Sequence, residues 1–236
     1  MFMEYMEHNN QKHRVVCSLC KSISMLADVS QVTEQFKIDN VLAYLSNRYE
    51  ISPTQSVSAI VVRDNSRQLD EFRWGLMPFW GKNSVCMDSR SITDKKIYKL
   101  ILKKQRCVIP CSGFYVTKTE KKETQWIKFT MNTGTFGIAG LYDVWRSSFD
   151  GEELRTCTML MTEANSLVAP YQEQMPSILE PDEVDQWLQP ESKNPFTLSK
   201  LLRPMDSLRM RAYTLASAED KYEAPSDFDY PHPELV

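Results

Sequence analysis

Short segments of alternating apolar and polar residues dominate the chain and predict a sheet-rich fold. Residues 56–62 alternate as a half-buried strand does, and Asp64, Asn65 and Ser66 form a turn into a second strand that ends at Arg73. Residues 119–123 and 132–134 supply later turns. The same pattern predicts further strands at residues 106–109, 113–118, 125–130, 135–138, 155–161 and 208–214.

Apolar residues at helical spacing predict short helices between these strands. Pro181 begins one of them with two acidic residues in its first turn, and Pro170 ends another. Because strands and helices mix without regular β-α-β alternation, the pattern predicts an α+β fold: one domain with a mixed, mostly antiparallel, partly closed, barrel-like sheet flanked by short helices. The expected helices cover residues 28–36, 40–45, 94–104, 163–169, 181–188 and 196–202.

The composition indicates an ordinary globular protein. Its 236 residues are 42% hydrophobic and 25% charged, enough for one large domain. No apolar run approaches the roughly 18 residues of a membrane-spanning helix. Residues 1–14 lack the apolar segment of a secretory signal, and six cysteines without such a signal indicate reduced thiols. We therefore expect a cytoplasmic protein with no membrane partner.

Histidine is confined to the ends of the chain. The three histidines, His8, His13 and His232, all lie within fifteen residues of a terminus. The long central part of the sequence therefore offers no imidazole for a Ser-His-Asp or Cys-His centre, or for a histidine-rich metal site, unless a terminal segment folds back.

Charge is distributed unevenly along the chain. Residues 216–236 carry six acidic residues against one lysine, a net charge of −5, which leaves residues 1–215 at +2. Because Pro225, Pro231 and Pro233 disfavour a packed helix, residues 215–236 are predicted to be an acidic, disordered tail. The acidic balance of the whole chain does not exclude nucleic acid, since contact requires only a local basic patch.

Two features outside the strand pattern have both a functional and a structural interpretation. Cys17 with Cys20, and Cys107 with Cys111, have spacings from which a four-thiolate zinc site could be built. Alternatively Cys107, which begins an apolar strand, packs inward as a small hydrophobe, and we expect no metal or cofactor. The second feature is a group of basic residues that suits either a DNA phosphate backbone or a solvated helix face: Lys95, Lys96, Lys99, Lys103, Lys104 and Arg106.

An aromatic segment at residues 73–80 reads Arg-Trp-Gly-Leu-Met-Pro-Phe-Trp. Exposed, it could stack on single-stranded bases; buried, it would be a core loop. The segment resembles the hallmark of the SOS response-associated peptidase (SRAP) family, and four later segments match that family in order. These are residues 106–115, 136–145, 156–165 and 175–179, so that the resemblance covers residues 20–214.

The resemblance implies a function. Members of the family sense abasic sites in single-stranded DNA in the SOS response to DNA damage. A cysteine at the mature N-terminus condenses with the ring-opened sugar aldehyde: its α-amine forms a Schiff base, and its thiol closes a thiazolidine. An asparagine, a glutamate and a histidine assist this reaction. Self-processing of the N-terminus accounts for the peptidase name.

The same resemblance places the family's catalytic positions on Cys20, Asp88, Val116 and Gln172. Asp88 replaces the asparagine, Val116 the glutamate and Gln172 the histidine. An internal Cys20 has no free α-amine, so it can close a thiazolidine only if translation starts at Leu19 and the initiator is removed. We therefore expect impaired chemistry, since neither valine nor glutamine transfers protons.

We expect the four catalytic positions to share one cleft, with Arg90 and Trp74 at its rim. The partner that the resemblance implies is single-stranded DNA with an abasic site, bound by a monomer associated with the nucleoid. DNA contacts are predicted at Trp74, Pro78, Arg90, Lys99 and Arg106.

Two functions follow from these expectations. In the first, residues 20–214 form a SRAP-like domain, behind a polar leader at residues 1–19, that crosslinks to abasic DNA with reduced efficiency. In the second, the same fold is a non-catalytic single-stranded DNA-binding or scaffold pseudoenzyme that uses the same cleft. A denaturant-resistant adduct with abasic DNA distinguishes them.

Overall fold

A computed structural model describes residues 21–76, 85–93, 96–120, 123–146, 151–192 and 194–215, with backbone alone at residues 93, 96–99 and 120. The leader, most of the acidic tail, Cys17, Cys20, Pro78 and the side chain of Lys99 lie outside this description. Within the described residues, no helix is both long and apolar enough to cross a membrane.

Strands make up most of the described chain. They are β1 (Ser22–Met25), β2 (Asn40–Val41), β3 (Arg48–Ile51), β4 (Ser56–Arg63), β5 (Ser66–Trp74), β6 (Cys86–Asp88), β7 (Arg106–Cys111), β8 (Gly113–Glu120), β9 (Glu123–Met131), β10 (Phe136–Arg146), β11 (Glu153–Glu163), β12 (Gln174–Pro176), β13 (Ile178–Leu179) and β14 (Met210–Leu215). The helices are α1 (Val29–Phe36), α2 (Lys96–Lys104), α3 (Pro181–Leu188) and α4 (Pro195–Ser199), with 3₁₀ turns at Ser89–Thr93 and Ser207–Arg209.

Five of the strands close into a barrel. The order β11-β10-β7-β4-β5 is antiparallel throughout, and β5 returns to β11 in parallel through the pairs Thr156↔Arg73 and Cys157↔Trp74. The β4–β5 hairpin turns at Asp64 and Asn65, both with positive φ, as a tight two-residue turn requires. The predicted barrel-like, mostly antiparallel α+β fold is confirmed.

Glycine allows the strands of this barrel to approach closely. A Cβ on Gly140 in β10 would lie 2.8 Å from the carbonyl oxygen of Thr158 and 2.9 Å from Sγ of Cys107. A Cβ on Gly137 would lie 2.6 Å from Cγ1 of Val108 and 3.1 Å from the ring of Phe36 in α1, so the glycine leaves space for both side chains. Both glycines therefore belong to the packing of the core.

A second sheet of five strands has the order β14-β9-β8-β1-β3. Its register places Ser22 opposite Tyr115, and the backbone N–H of Lys21 donates to the Tyr115 carbonyl at 3.1 Å. Phe114 of β8 stacks on Phe129 of β9, with ring centroids 5.0 Å apart. The chain therefore enters the described fold alongside β8.

Two predicted helices are wrong. At residues 40–45 the backbone N–H groups of Leu42 and Ala43 both donate to the Leu69 carbonyl, because this segment pairs with the edge of β5. At residues 163–169 the chain first completes β11 and then turns, because the Asn165 side chain accepts from the N–H groups of Leu167 and Val168. Side-chain capping and sheet pairing thus override helical spacing.

Candidate functional site

Two short strands flank the last residues of β11 and bring separate parts of the chain together. On one side β6 runs parallel to β11, with Asp88 opposite Met161. On the other side β12 runs antiparallel, with Gln174 opposite Glu163. The group formed by Asp88, Arg90, Glu163, Gln172 and Gln174 is called the Asp88 cluster below.

Asp88 is the acceptor at the centre of the Asp88 cluster. Arg90 donates to it from Nη2 at 2.7 Å, from Nε at 3.1 Å and from its backbone N–H at 2.9 Å. The amide Nε2 of Gln174 donates to Oδ2 of Asp88 at 2.8 Å. Partial burial acts to raise the pKa of Asp88, but the hydrogen bonds and charge of Arg90, with the Gln174 amide, hold the pKa below its usual value.

Arg90 extends outward from this carboxylate, with 65% of its side chain exposed. Its Nη1 also lies 3.4 Å from Oε1 of Glu163. The hydrogen bond and charge of Asp88 raise the pKa of Arg90, so the guanidinium keeps its charge. Arg90 can therefore meet an anion, but two carboxylates already compete for it.

Gln172 joins the Asp88 cluster through Gln174. Its Nε2 donates to the Gln174 carbonyl at 2.5 Å. Its Oε1 is buried and accepts no hydrogen bond within the described part of the chain. A buried acceptor of this kind is normally satisfied, so Oε1 is available to a ligand or to water.

Val116 lies in β8, and Lys118 of the same strand lies with its Nζ 5.9 Å from the ring centroid of Tyr171, the residue before Gln172. Val116 is 1% exposed and is opposite Ile127 in β9. The neighbouring Phe129 makes an edge contact with the ring of Tyr171, at 5.7 Å between centroids. The fold therefore places β8 near Tyr171 and Gln172, but Val116 itself is packed in the core.

Cys20 lies outside the described residues, so its predicted distance to the other three catalytic positions stays a prediction. Lys21, which follows Cys20, is bonded to β8 next to Val116. The register of β1 with β8 thus places the residue that follows Cys20 beside the strand that contains Val116. Asp88 and Gln172 share the Asp88 cluster through Gln174. Val116 is instead packed in the core opposite β9, whose Phe129 contacts the ring of Tyr171.

Two predicted DNA contacts are wrong. Trp74 is fully buried, and its indole N–H donates to the Val85 carbonyl at 2.9 Å. This tryptophan therefore packs inside the fold and cannot stack on a base. Pro78 and the side chain of Lys99 lie outside the described residues, and their roles stay predictions.

Arg106 is the second correction. It is 6% exposed, and it donates to the carbonyls of Trp187, Leu102 and Gln189 at 2.5–2.6 Å. Burial lowers the pKa of this guanidinium, with the Tyr142 charge acting in the opposite direction. Arg106 fastens β7 to the ends of α2 and α3, which leaves it no path to a phosphate.

The cysteines of β7 are buried, as the packing interpretation expects. Cys107 and Cys111 are both fully buried. Burial, with a smaller contribution from Cys157, raises the pKa of the Cys107 thiol well above its usual value. Among the described residues, no three histidine, cysteine or acidic side chains are grouped closely enough to hold a metal ion.

Sequence reasoning missed three members of this site: Glu163, Tyr171 and Gln174. A signal for Gln174 was present, because the resemblance that places the family's histidine on Gln172 also places a family arginine on Gln174. Glu163 and Tyr171 carry no such signal. They reach the site only because β11 is paired on both edges and the following turn folds over β8.

Comparisons with known proteins support the fold described above. The family described as SOS response associated peptidase (SRAP) matches residues 19–219. The chain is 30% identical over 210 residues to the abasic site processing protein YoqW of Bacillus subtilis, covering 84% of this chain and 93% of the relative. It is 31% identical to YoaM of the same organism, with 84% and 92% coverage.

More distant similarities extend to animals and to solved structures. The abasic site processing protein HMCES of Gallus gallus is 25% identical over 178 residues, covering 61% of this chain and 52% of that protein. A crystal structure of a Bacteroides thetaiotaomicron protein superposes with a TM-score of 0.76 at 24% identity, covering 88% of this chain and 97% of the other. The structural likeness supports the fold.

Proposed function

Because the chain belongs to the SOS response associated peptidase family, we propose that it acts on abasic sites in single-stranded DNA during the DNA-damage response, at the nucleoid in the cytoplasm. The observation that carries this proposal is the Asp88 cluster. Asp88 and Gln172, which stand at the family's asparagine and histidine positions, are both hydrogen-bonded to Gln174. The relatives named for abasic site processing support the substrate class.

The DNA strand is proposed to cross the Asp88 cluster beside β8. Arg90 is 65% exposed and supplies a guanidinium for a phosphate. The buried Oε1 of Gln172 supplies an acceptor for a sugar hydroxyl at the abasic position. Binding requires Arg90 to exchange part of its bonding to Asp88 for the phosphate, so affinity is expected to be modest.

Covalent capture is proposed to depend on Cys20 becoming the N-terminal residue. Its α-amine then attacks the aldehyde carbon and the resulting carbinolamine loses water to give an imine. The thiol next adds to the imine carbon, its proton passing to nitrogen, and closes a thiazolidine. Gln172 and Val116 transfer no protons, so we expect the reaction to be slower by about two to four orders of magnitude than with acid–base assistance.

The test is adduct formation with a single-stranded oligonucleotide that carries one abasic site. Full-length protein and a form starting at Cys20 are incubated with this oligonucleotide and separated under denaturing conditions. A slow adduct with the Cys20-start form, lost in Cys20→Ser, is the expected result. An oligonucleotide with a tetrahydrofuran abasic analogue, which has no aldehyde, is the matched control and should form none.

A second candidate is a non-catalytic single-stranded DNA-binding or scaffold protein. It is favoured by one observation: Asp88 places a carboxylate where the family has a neutral amide, and Arg90 is bound to it. Salt-sensitive binding of both oligonucleotides with no adduct from either form of the protein would select this function. No binding of either oligonucleotide at low salt would contradict the proposal of a DNA substrate.

A further inference from the structure

Three arginines surround a cavity at one end of the closed barrel, far from the Asp88 cluster. The cavity has a volume of about 380 Å³ and is lined by Arg63, Val144, Arg146, Glu153 and Arg155; we call it the barrel mouth. Arg155 is the third residue of β11 and Met161 lies beside Asp88, so about 20 Å of strand separates the two sites. Mouths of barrels are frequent locations of small-ligand sites.

Two of the arginines are fixed in position by a buried carboxylate. Nη1 of Arg63 and Nη1 of Arg155 lie 2.9 Å and 2.8 Å from the same oxygen, Oδ2 of Asp70, whose side chain is only 4% exposed. The guanidinium of Arg63 also lies 5.8 Å from the ring centroid of Phe72. These contacts hold both guanidiniums in place without a ligand, which reduces the entropy lost on binding.

The third arginine is held differently. Arg146 is 75% exposed and binds Oε1 of Glu153 at 2.6 Å through Nη2. Arg155 reaches the other oxygen of Glu153 at 3.3 Å. The hydrogen bonds and charge of Arg146, with a smaller effect from Arg155, lower the pKa of Glu153, so this carboxylate is ionised. Among the described residues, Glu153 is the one acidic side chain that lines the barrel mouth.

We propose that the barrel mouth binds a phosphate group, which replaces Glu153 as the partner of Arg146. Each guanidinium has five N–H donors, so the single carboxylate of Glu153 has too few acceptor sites for all the donors of Arg146 and Arg155. A phosphate offers more acceptor oxygens and more charge than a carboxylate, and it pairs with the forked donors of arginine. Arg63 and Arg155 form the fixed part of the site, and Glu153 is the exchangeable part.

Two substitutions with opposite expected effects test this proposal. Binding of inorganic pyrophosphate is measured by calorimetry for the intact chain and for Arg146→Gln and Glu153→Gln. Arg146→Gln should weaken binding about tenfold, because one charge-assisted contact is lost. Glu153→Gln should strengthen binding several-fold, because the competing negative charge is removed. Arg203→Gln, which removes another exposed arginine paired with a glutamate, is the matched control and should leave binding unchanged.

The source of the phosphate is settled by a second ligand, an oligothymidylate with no abasic site. If the group belongs to a DNA strand, Arg146→Gln also weakens oligothymidylate binding; if it belongs to a free nucleotide, only pyrophosphate binding changes. Pyrophosphate affinities that are equal in the intact chain and both variants would overturn the proposal. Neither ligand carries an aldehyde, so the result is independent of whether the protein forms adducts with abasic DNA.

Discussion

Asp88 and Arg90 show how one substitution can change the character of a site while its geometry is kept. The amide expected at position 88 would be neutral, whereas the aspartate is ionised and binds Arg90 through both carboxylate oxygens. The arginine is therefore still present at the surface, but its charge is largely compensated. The same carboxylate also accepts a hydrogen bond from Gln174, so it stabilises the fold at the place where its charge would repel a DNA phosphate.

Replacing Asp88 with asparagine should increase affinity for single-stranded DNA about three- to fivefold at low salt. The change removes a negative charge near the strand and frees Arg90 from an ion pair, and partly exposed pairs of this kind are worth at most about 1 kcal/mol. Fluorescence anisotropy with a labelled oligonucleotide measures the effect. The double variant Asp88→Asn, Arg90→Gln is the control, and a gain that persists in it would contradict the explanation.

The lowered pKa of Asp88 predicts a defined pH dependence of stability. A carboxyl whose pKa is lower in the folded state stabilises the protein above the unfolded-state pKa of about 3.9, and this contribution disappears as pH falls through the folded-state pKa. The difference in free energy of unfolding between the intact chain and Asp88→Asn should therefore be constant from pH 5 to 7 and shrink below about pH 4. Urea titrations measure it, and a difference independent of pH would show that Asp88 does not act through its charge.

At the scale of elements, the sequence predicted the strands that have a local alternating pattern and missed the short strands that form only by pairing with a longer one. The long strands β4, β5, β8, β9 and β11 have alternating patterns that can be read without neighbours. By contrast β2, β6, β12 and β13 have two or three residues each and exist only because a longer strand offers an unpaired edge. The Asp88 cluster depends on two of these short strands, so the contact of Gln174 with Asp88 could not be derived from the sequence.

The close approach of strands at Gly140 makes a prediction about β10. Gly140→Ala should destabilise the protein by about 1–3 kcal/mol, because its Cβ would press on the Thr158 carbonyl and the Cys107 sulfur. Chemical denaturation measures the loss. Gly134→Asn is the control: this glycine has positive φ and open space around it, and asparagine tolerates that backbone. Equal losses in both variants would mean that crowding in the barrel is not the cause.

At the scale of the whole molecule, the charge that matters is local. The net charge of −3 gives no hint of a DNA partner, and two of the predicted DNA contacts, Arg106 and Trp74, are buried in the core. Near the Asp88 cluster the described surface offers Arg90, which is 65% exposed, and Lys118 of β8, whose Nζ lies 5.9 Å from the ring centroid of Tyr171. Composition therefore predicts that the central part of the chain has no histidine-based centre, but it does not show which cation would meet a DNA phosphate.

This arrangement predicts the salt dependence of DNA binding. If Arg90 neutralises one phosphate, Arg90→Gln should reduce the slope of log K against log salt by about 0.7, the value for one contact to a single strand. Lys37→Gln is a suitable control, since Lys37 has similar exposure and is paired with Asp185 on another face. A slope that is the same for Arg90→Gln and the intact chain would remove Arg90 from the DNA-binding surface.

The closure of the barrel between β5 and β11 has a consequence for local unfolding. This parallel junction consists of two residue pairs, followed by one hydrogen bond from the backbone N–H of Gly75 to the Cys157 carbonyl. The other barrel junction to β11, made by β10, extends over seven pairs. Amide hydrogens at the short junction should therefore exchange with solvent before those of β10, and β6, which continues along the same edge, should share this early opening. The Asp88 cluster thus lies beside one of the two shortest junctions of the barrel, the other being the two-pair junction of β4 with β7.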